Sequence, residues 1–131
     1  MSDVAKTPTN SSVIREVNRD LGFATLTLNR PDSLNSLSND LLESLADAID
    51  SVAEDDSIRA VILTGSGRAF CAGADTDEMT GGESEGPHKP GPGGPEALRR
   101  GFKLAQKVIL GIYEMEKPVI AAINGSAVGA G

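Results

Sequence analysis

The sequence holds one cysteine, Cys71, one histidine, His88, and no tryptophan. A lone cysteine excludes an internal disulfide and fits a reducing compartment, so a cytoplasmic location is expected. One histidine with one cysteine cannot assemble a Cys/His zinc site, and no metal is expected. Aromatic residues make up 3% of the chain, too few for platforms on which unpaired bases stack. Positive charge is scarce too: 12 Lys and Arg stand against 19 Asp and Glu, for a formal net charge of −7. A nucleic-acid partner needs a basic face to neutralise its phosphates, so that class is set aside. A small anionic ligand is not, because a few local cations and backbone amides can hold one. No apolar run approaches the ~20 residues that span a bilayer. The polar start MSDVAKTPTNSS also lacks the apolar centre of a secretory signal.

What is present suits one globular domain. Of the 131 residues, 39% are hydrophobic and 24% charged. Residues 1–11 read as a flexible tail and residues 12–131 as the domain. Within it, Gly81 to Pro95 (GGESEGPHKPGPGGP) is crowded with glycine and proline and reads as a mobile loop.

The pattern of the remainder is layered. Ser12 to Asn18 is a strand candidate, and Asp20-Leu21-Gly22 supplies a turn into Phe23 to Asn29. There Ala24, Leu26 and Leu28 alternate with Phe23, Thr25 and Thr27, as a half-buried strand requires. Pro31 ends it. Ser38 is a good N-cap, and Leu37 with Leu42 has the spacing of a hydrophobic staple. Leu41, Leu42, Leu45, Ala48, Ile49 and Val52 then recur at helical spacing, up to the acidic run Glu54-Asp55-Asp56. Carboxylates at a helix C-terminus oppose the dipole, so that run reads as a solvated loop. Ala60 to Thr64 and Val119 to Ile123 are continuous apolar runs, expected as buried strands. A second helix is expected from about Glu96 to Met115, broken by Pro118. Long helices between buried strands imply an α/β fold with a partly parallel sheet. The helix that would cover the last strand is absent, so the sequence reads as the first part of a larger fold, or as a chain completed by a partner.

Few side chains offer chemistry. Cys71, between Phe70 and Ala72, reads as a small buried hydrophobe more readily than as a nucleophile. Asp75 follows a glycine-bearing turn after a buried strand, where open α/β sheets bind ligands. It reads either as an acid/base group or, preferably, as a cap for the next segment. GSGRAF and GSAVGAG match neither a phosphate-binding loop nor a dinucleotide fingerprint, so a nucleotide-binding domain fits poorly. What remains is the backbone. AFCAGAD and NGSAVGAG each place small residues after a strand, where a ligand can approach free amides. Two such amides aimed at one oxygen would form an oxyanion hole; the alternative is a pair of tight turns.

Three segments in order, TLNRPDSLNSLS (Thr27 to Ser38), AVILTGSGRAFCAGAD (Ala60 to Asp75) and KPVIAAINGSAVGAG (Lys117 to Gly131), closely resemble the crotonase superfamily of enoyl-CoA hydratases and isomerases. The resemblance implies a spiral of ββα repeats, usually assembled as homotrimers or hexamers, that binds acyl-CoA thioesters without a further cofactor. It implies that the thioester oxygen meets the amides of Ala74 and Ala130, the latter at a position where many relatives carry glycine. It places the carbonyl of Ala72, beside Gly73, near the adenine amino group, and Leu34, Asn35 and Ser36 along the CoA. Arg30, Arg68 and Lys89 are phosphate candidates on charge alone, and Asp75 borders the same site. In hydratases of this family two glutamates act as acid and base, and both fall beyond the position of Gly131. The fold is therefore expected to be truncated after the turn carrying the second donor, and the 131 residues alone to be inactive. An isomerase, hydrolase or dehalogenase of the same superfamily, or a non-catalytic acyl-CoA-binding or interaction module, would share these motifs.

Overall fold

The computed structural model describes residues 4–6, 11–76 and 94–131. Its main sheet has five strands in the order β1 (Val4–Lys6), β2 (Val13–Asn18), β3 (Phe23–Leu28), β4 (Ala60–Gly65) and β6 (Val119–Ala122). β1, β2 and β3 pair antiparallel, whereas β3, β4 and β6 run parallel. The β2–β3 hairpin keeps the register Val13↔Leu28 to Asn18↔Phe23. Its turn closes through Gly22, whose positive φ of 74° a side chain would resist. Parallel pairing requires long crossovers, and the helices α1 (Asn39–Glu54) and α2 (Gly94–Tyr113) lie in them. β5 (Ala69–Cys71) and β7 (Ser126–Ala127) form a second, two-stranded parallel sheet. This is a mixed α/β fold, as expected.

The alternation in β3 works as read: Ala24, Leu26 and Leu28 are all buried. They meet Leu41, Leu42, Leu45, Ala46, Ile49 and Val52, which form the inner face of α1. Ser38 caps that helix, its hydroxyl accepting from the Leu41 amide at 3.1 Å. α2 packs against α1 and adds Val108 to the core.

Three expectations change. Val4–Lys6, read as tail, is a strand paired with β2. β6, read as buried, is the outer strand, with Ile120 56% exposed, because no described element covers its far side. In β4 only Val61 is fully buried, for a related reason: coverage on one face is partial.

The acidic run at the end of α1 leads into a solvated loop, as expected, with Glu54 exposed. Asp56 is exposed, but Asp55 accepts from the Ser57 amide (2.9 Å) and hydroxyl (2.6 Å) and pairs with Arg19 at 3.5 Å. The Ser57 hydroxyl, then its amide, hold this carboxyl below its ordinary value. Nearby, the Lys117 ammonium donates to the carbonyls of Val52 and Asp55, each at 2.7 Å. A cation thus satisfies the open end of α1 and complements its dipole. No described helix is long and apolar enough to cross a membrane.

Lys117→Met should cost about 1–2 kcal/mol of stability through those two carbonyls, seen as a lower urea midpoint at unchanged slope. Asp55 has a depressed folded-state pKa, so its contribution is present above the unfolded value of 3.8 and is lost as pH falls through the lower folded value. Asp55→Asn should therefore be less stable than wild type at pH 7, with the two urea midpoints converging below pH 3.8.

Candidate active site

The segment after β3 is locally strained. Pro31–Ser33 forms a single 3₁₀ turn, and Leu34 and Asn35 follow at φ of 53° and 56°. Each left-handed L-residue costs about 1–2 kcal/mol. Asn35 offsets that cost. Its side chain is fully buried; Oδ1 accepts from the Arg30 amide at 2.8 Å, and Nδ2 donates to the carbonyls of Ser66 (2.9 Å) and Ala69 (3.0 Å). Its own amide donates to the Arg30 carbonyl at 2.9 Å, and its carbonyl accepts from the Cys71 thiol at 3.1 Å. Asn35 is thus a scaffold residue whose side chain faces inward, while Leu34 beside it is half-buried.

This loop docks onto the segment leaving β5. The Ala72 amide donates to the Leu34 carbonyl at 3.0 Å, and the Leu37 amide donates to the Gly73 carbonyl at 2.8 Å. In a trans peptide the C=O and the following N–H point opposite ways. With the Gly73 carbonyl turned toward Leu37, the Ala74 amide is directed away from the Leu34 loop. Across from it, the Val128 amide donates to the Cys71 carbonyl at 3.0 Å, and the Gly131 amide closes a turn onto the Val128 carbonyl at 2.8 Å. Gly129, at φ 58°, takes the left-handed corner of that turn. The two segments touch at Gly73. A Cβ there would lie 2.6 Å from the Val128 carbonyl oxygen and 3.5 Å from the Ala130 nitrogen.

Ala74 and Ala130 therefore border one space. A cavity of about 440 Å³ is lined by both, with Leu37, Leu42, Asp75 and the Leu98, Phe102, Ala105 and Ile109 side of α2. Neither the Ala74 nor the Ala130 amide donates to a described residue, and the Ala72 carbonyl accepts from none. Among the described residues Asp75 is the only carboxylate in the lining; its Oδ2 accepts from Arg30 at 3.2 Å and from the Ser36 hydroxyl at 3.1 Å. Arg30, expected as a phosphate partner, is turned to Asp75 and Ser36. Arg68 is exposed and does not line the cavity, and Lys89 and His88 lie outside the described residues. Cys71 is buried, and burial pushes its thiol up, which suits a packed side chain rather than a nucleophile. No described group of acidic, His or Cys side chains could hold a metal ion.

One contributor escaped the sequence reading. Asn124, taken as a turn residue, donates to the carbonyls of Gly67 (3.0 Å) and Ala69 (3.1 Å) and accepts from the Gly65 amide (3.1 Å). It ties the end of β6 to the β4–β5 connection. Its signal was the Asn-Gly pair, which marks a turn but does not name the partner.

A sequence profile described as enoyl-CoA hydratase/isomerase matches residues 18–131. The chain is 43% identical over 108 residues to a probable enoyl-CoA hydratase, echA12, of Mycobacterium leprae, covering 82% of this chain and 35% of that one. It is 39% identical over 110 residues to a 1,2-epoxyphenylacetyl-CoA isomerase of Escherichia coli K12, covering 84% and 39%. Among solved structures, one from Pseudomonas aeruginosa superposes with a TM-score of 0.78 at 37% identity, covering 95% of this chain and 49% of that one. An enoyl-CoA hydratase from Mycobacterium smegmatis gives 0.69 at 36% identity, covering 87% and 40%. The chain thus spans well under half the length of those curated relatives.

Gly73→Ala should destabilise by about 2–3 kcal/mol or more. The new methyl meets the Val128 carbonyl at 2.6 Å on a backbone with φ 89°. Chemical denaturation checks this; an unchanged midpoint would mean that the two segments are not held in contact.

Proposed function

The chain belongs to the enoyl-CoA hydratase/isomerase family, and from that premise we propose that its cavity takes the acyl end of a coenzyme A thioester. The thioester oxygen then accepts hydrogen bonds from the Ala74 and Ala130 amides. The observation that carries this reading is that Ala74 and Ala130 both line one apolar cavity and that their amides donate to no described residue. Both residues are exposed, so water serves these donors until a ligand oxygen takes its place. Negative charge that develops on the oxygen during enolate formation is stabilised there, each donor contributing on the order of 3 kcal/mol. In the same reading the Ala72 carbonyl, which accepts from no described residue, takes the adenine amino group as its donor. No cofactor is required beyond the coenzyme A of the substrate, and no metal.

Proton transfer is the other half of the chemistry. Hydration or isomerisation of an enoyl thioester needs an acid/base group within hydrogen-bond reach of the reacting carbons. The one lining carboxylate among the described residues, Asp75, is held by Arg30 and Ser36. In this reading the 131 residues bind and polarise a thioester without turning it over, and carboxylates outside them complete a hydratase or isomerase. A homotrimeric or hexameric assembly belongs to the same proposal. The exposed apolar side chains of Phe102, Ile109, Tyr113, Ile120 and Ile123 are the surface that further structure would cover. A cytoplasmic enzyme is the corresponding setting. The second reading, a binding or interaction module, shares the cavity and differs in lacking any completing catalytic part.

An acyl-CoA labelled with ¹³C at the thioester carbonyl tests the oxyanion site directly by infrared difference spectroscopy. Binding should move the carbonyl stretch to lower wavenumber. Cys71→Ser should keep that shift, and Ala74→Pro, which removes the N–H, should abolish it. A bound thioester with an unshifted carbonyl would overturn the reading. Hydration of crotonyl-CoA by the 131 residues at ordinary enzyme rates would overturn the division of labour.

A further inference from the structure

Three polar groups close a triangle beside Ala74. Arg30 Nη1 donates to the Ser36 hydroxyl oxygen at 3.2 Å and to Asp75 Oδ2 at 3.2 Å, and the Ser36 hydroxyl donates to the same Oδ2 at 3.1 Å. Arg30 Nη1 also donates to the Ser36 carbonyl at 2.9 Å. The ion pair is largely shielded, with the Arg30 and Asp75 side chains 27% and 11% exposed. We infer that Arg30, Ser36 and Asp75 are positioning residues that fix the direction of the Ala74 amide and make no contact with the ligand's phosphates.

The geometry supplies the reason. Ala74 is flanked by two peptide planes. The first is held by the Leu37 amide on the Gly73 carbonyl; the second leads to Asp75, whose side chain the triangle anchors. With both sides fixed, the backbone dihedrals of Ala74 have little freedom, and its N–H is aimed before a ligand arrives. Donors that need no reorganisation are the ones that stabilise developing charge well. Arg30 is itself fixed, because its amide donates to Asn35 Oδ1 at 2.8 Å and its carbonyl accepts from Asn35. The triangle therefore transmits the rigidity of the Asn35 scaffold to the residue after Ala74. Nη1 of Arg30 is thus committed to the triangle and not to a phosphate, the role its charge alone suggested.

This inference rests on the reading of Ala74 as an oxyanion donor, so the experiment has one arm without ligand. The 131-residue chain is labelled with ¹⁵N-alanine, and Arg30→Met, Asp75→Asn, their double substitution and the milder Ser36→Ala are compared, with folding monitored by circular dichroism. Without ligand, the Ala74 amide should be rigid in wild type, with an order parameter near ~0.85, and fall toward ~0.6 in the variants. With ¹³C-thioester bound, the carbonyl shift should shrink alike in Arg30→Met and Asp75→Asn, and no further in the double substitution, as expected of one coupled unit. The dependence of affinity on ionic strength should stay as in wild type. Ala74 staying rigid in every folded variant would overturn the inference. So would Arg30→Met leaving the carbonyl shift intact while flattening the salt dependence, which marks a phosphate contact. If wild type shows no carbonyl shift but the variants still loosen Ala74, the oxyanion reading fails and the positioning role stands.

Discussion

The structure turns on one buried asparagine. Asn35 sits in a left-handed conformation after another left-handed residue, and its side chain satisfies one donor and two acceptors from the ends of β3, β4 and β5. A buried polar side chain with all its groups paired specifies geometry more strictly than apolar packing does, because any shift leaves a group unsatisfied. The strain at Leu34 and Asn35 persists because those bonds over-determine it. Everything around the cavity inherits this placement: the Leu34 loop receives the Ala72 amide, the Leu37 amide orients the Gly73 carbonyl, and the Cys71 thiol donates to the Asn35 carbonyl.

The second constraint is the approach of two main chains. Gly73 lies against Val128 so closely that no side chain fits between them. The approach brings two turns, more than fifty residues apart in sequence, to the edge of one cavity. The same small residues that look chemically idle are what permit it. The apolar interior of that cavity comes mostly from α2, whose Phe102 and Ile109 remain largely exposed. The α2 side of the cavity is thus open among the described residues, and the chain spans well under half the length of those curated relatives.

Much of this was legible before any coordinates. The period-2 pattern of Phe23 to Leu28 and the helical spacing from Leu41 to Val52 named the core faces, because burial on one side leaves that period in the sequence. Ser38 was legible as a cap because capping is local. Harder were the features that depend on a partner distant in sequence. Asp55 looked like a solvated acid, yet it turns back on Ser57, and the carbonyl ends of α1 are met by Lys117, about sixty residues away. Arg30 looked like a free cation, yet its guanidinium meets Asp75. β6 looked buried by composition, but burial belongs to whatever lies against a strand, and no described element covers that face.

Within the candidate site the division is similar. The motif segments named Ala74 and Ala130 through their resemblance to a family, and composition excluded an internal disulfide and a Cys/His zinc site and argued against a nucleic-acid partner. The sequence by itself therefore determined the family, the alternating core and the residues around which a site could form, because local periods and motif spacing are written along the chain. Only the tertiary structure decided that Asn35 is a scaffold, that Arg30 faces Asp75, and that Ala74 and Ala130 line one cavity. Those facts depend on which distant backbone groups meet, and side-chain identity alone does not encode the direction of a peptide plane.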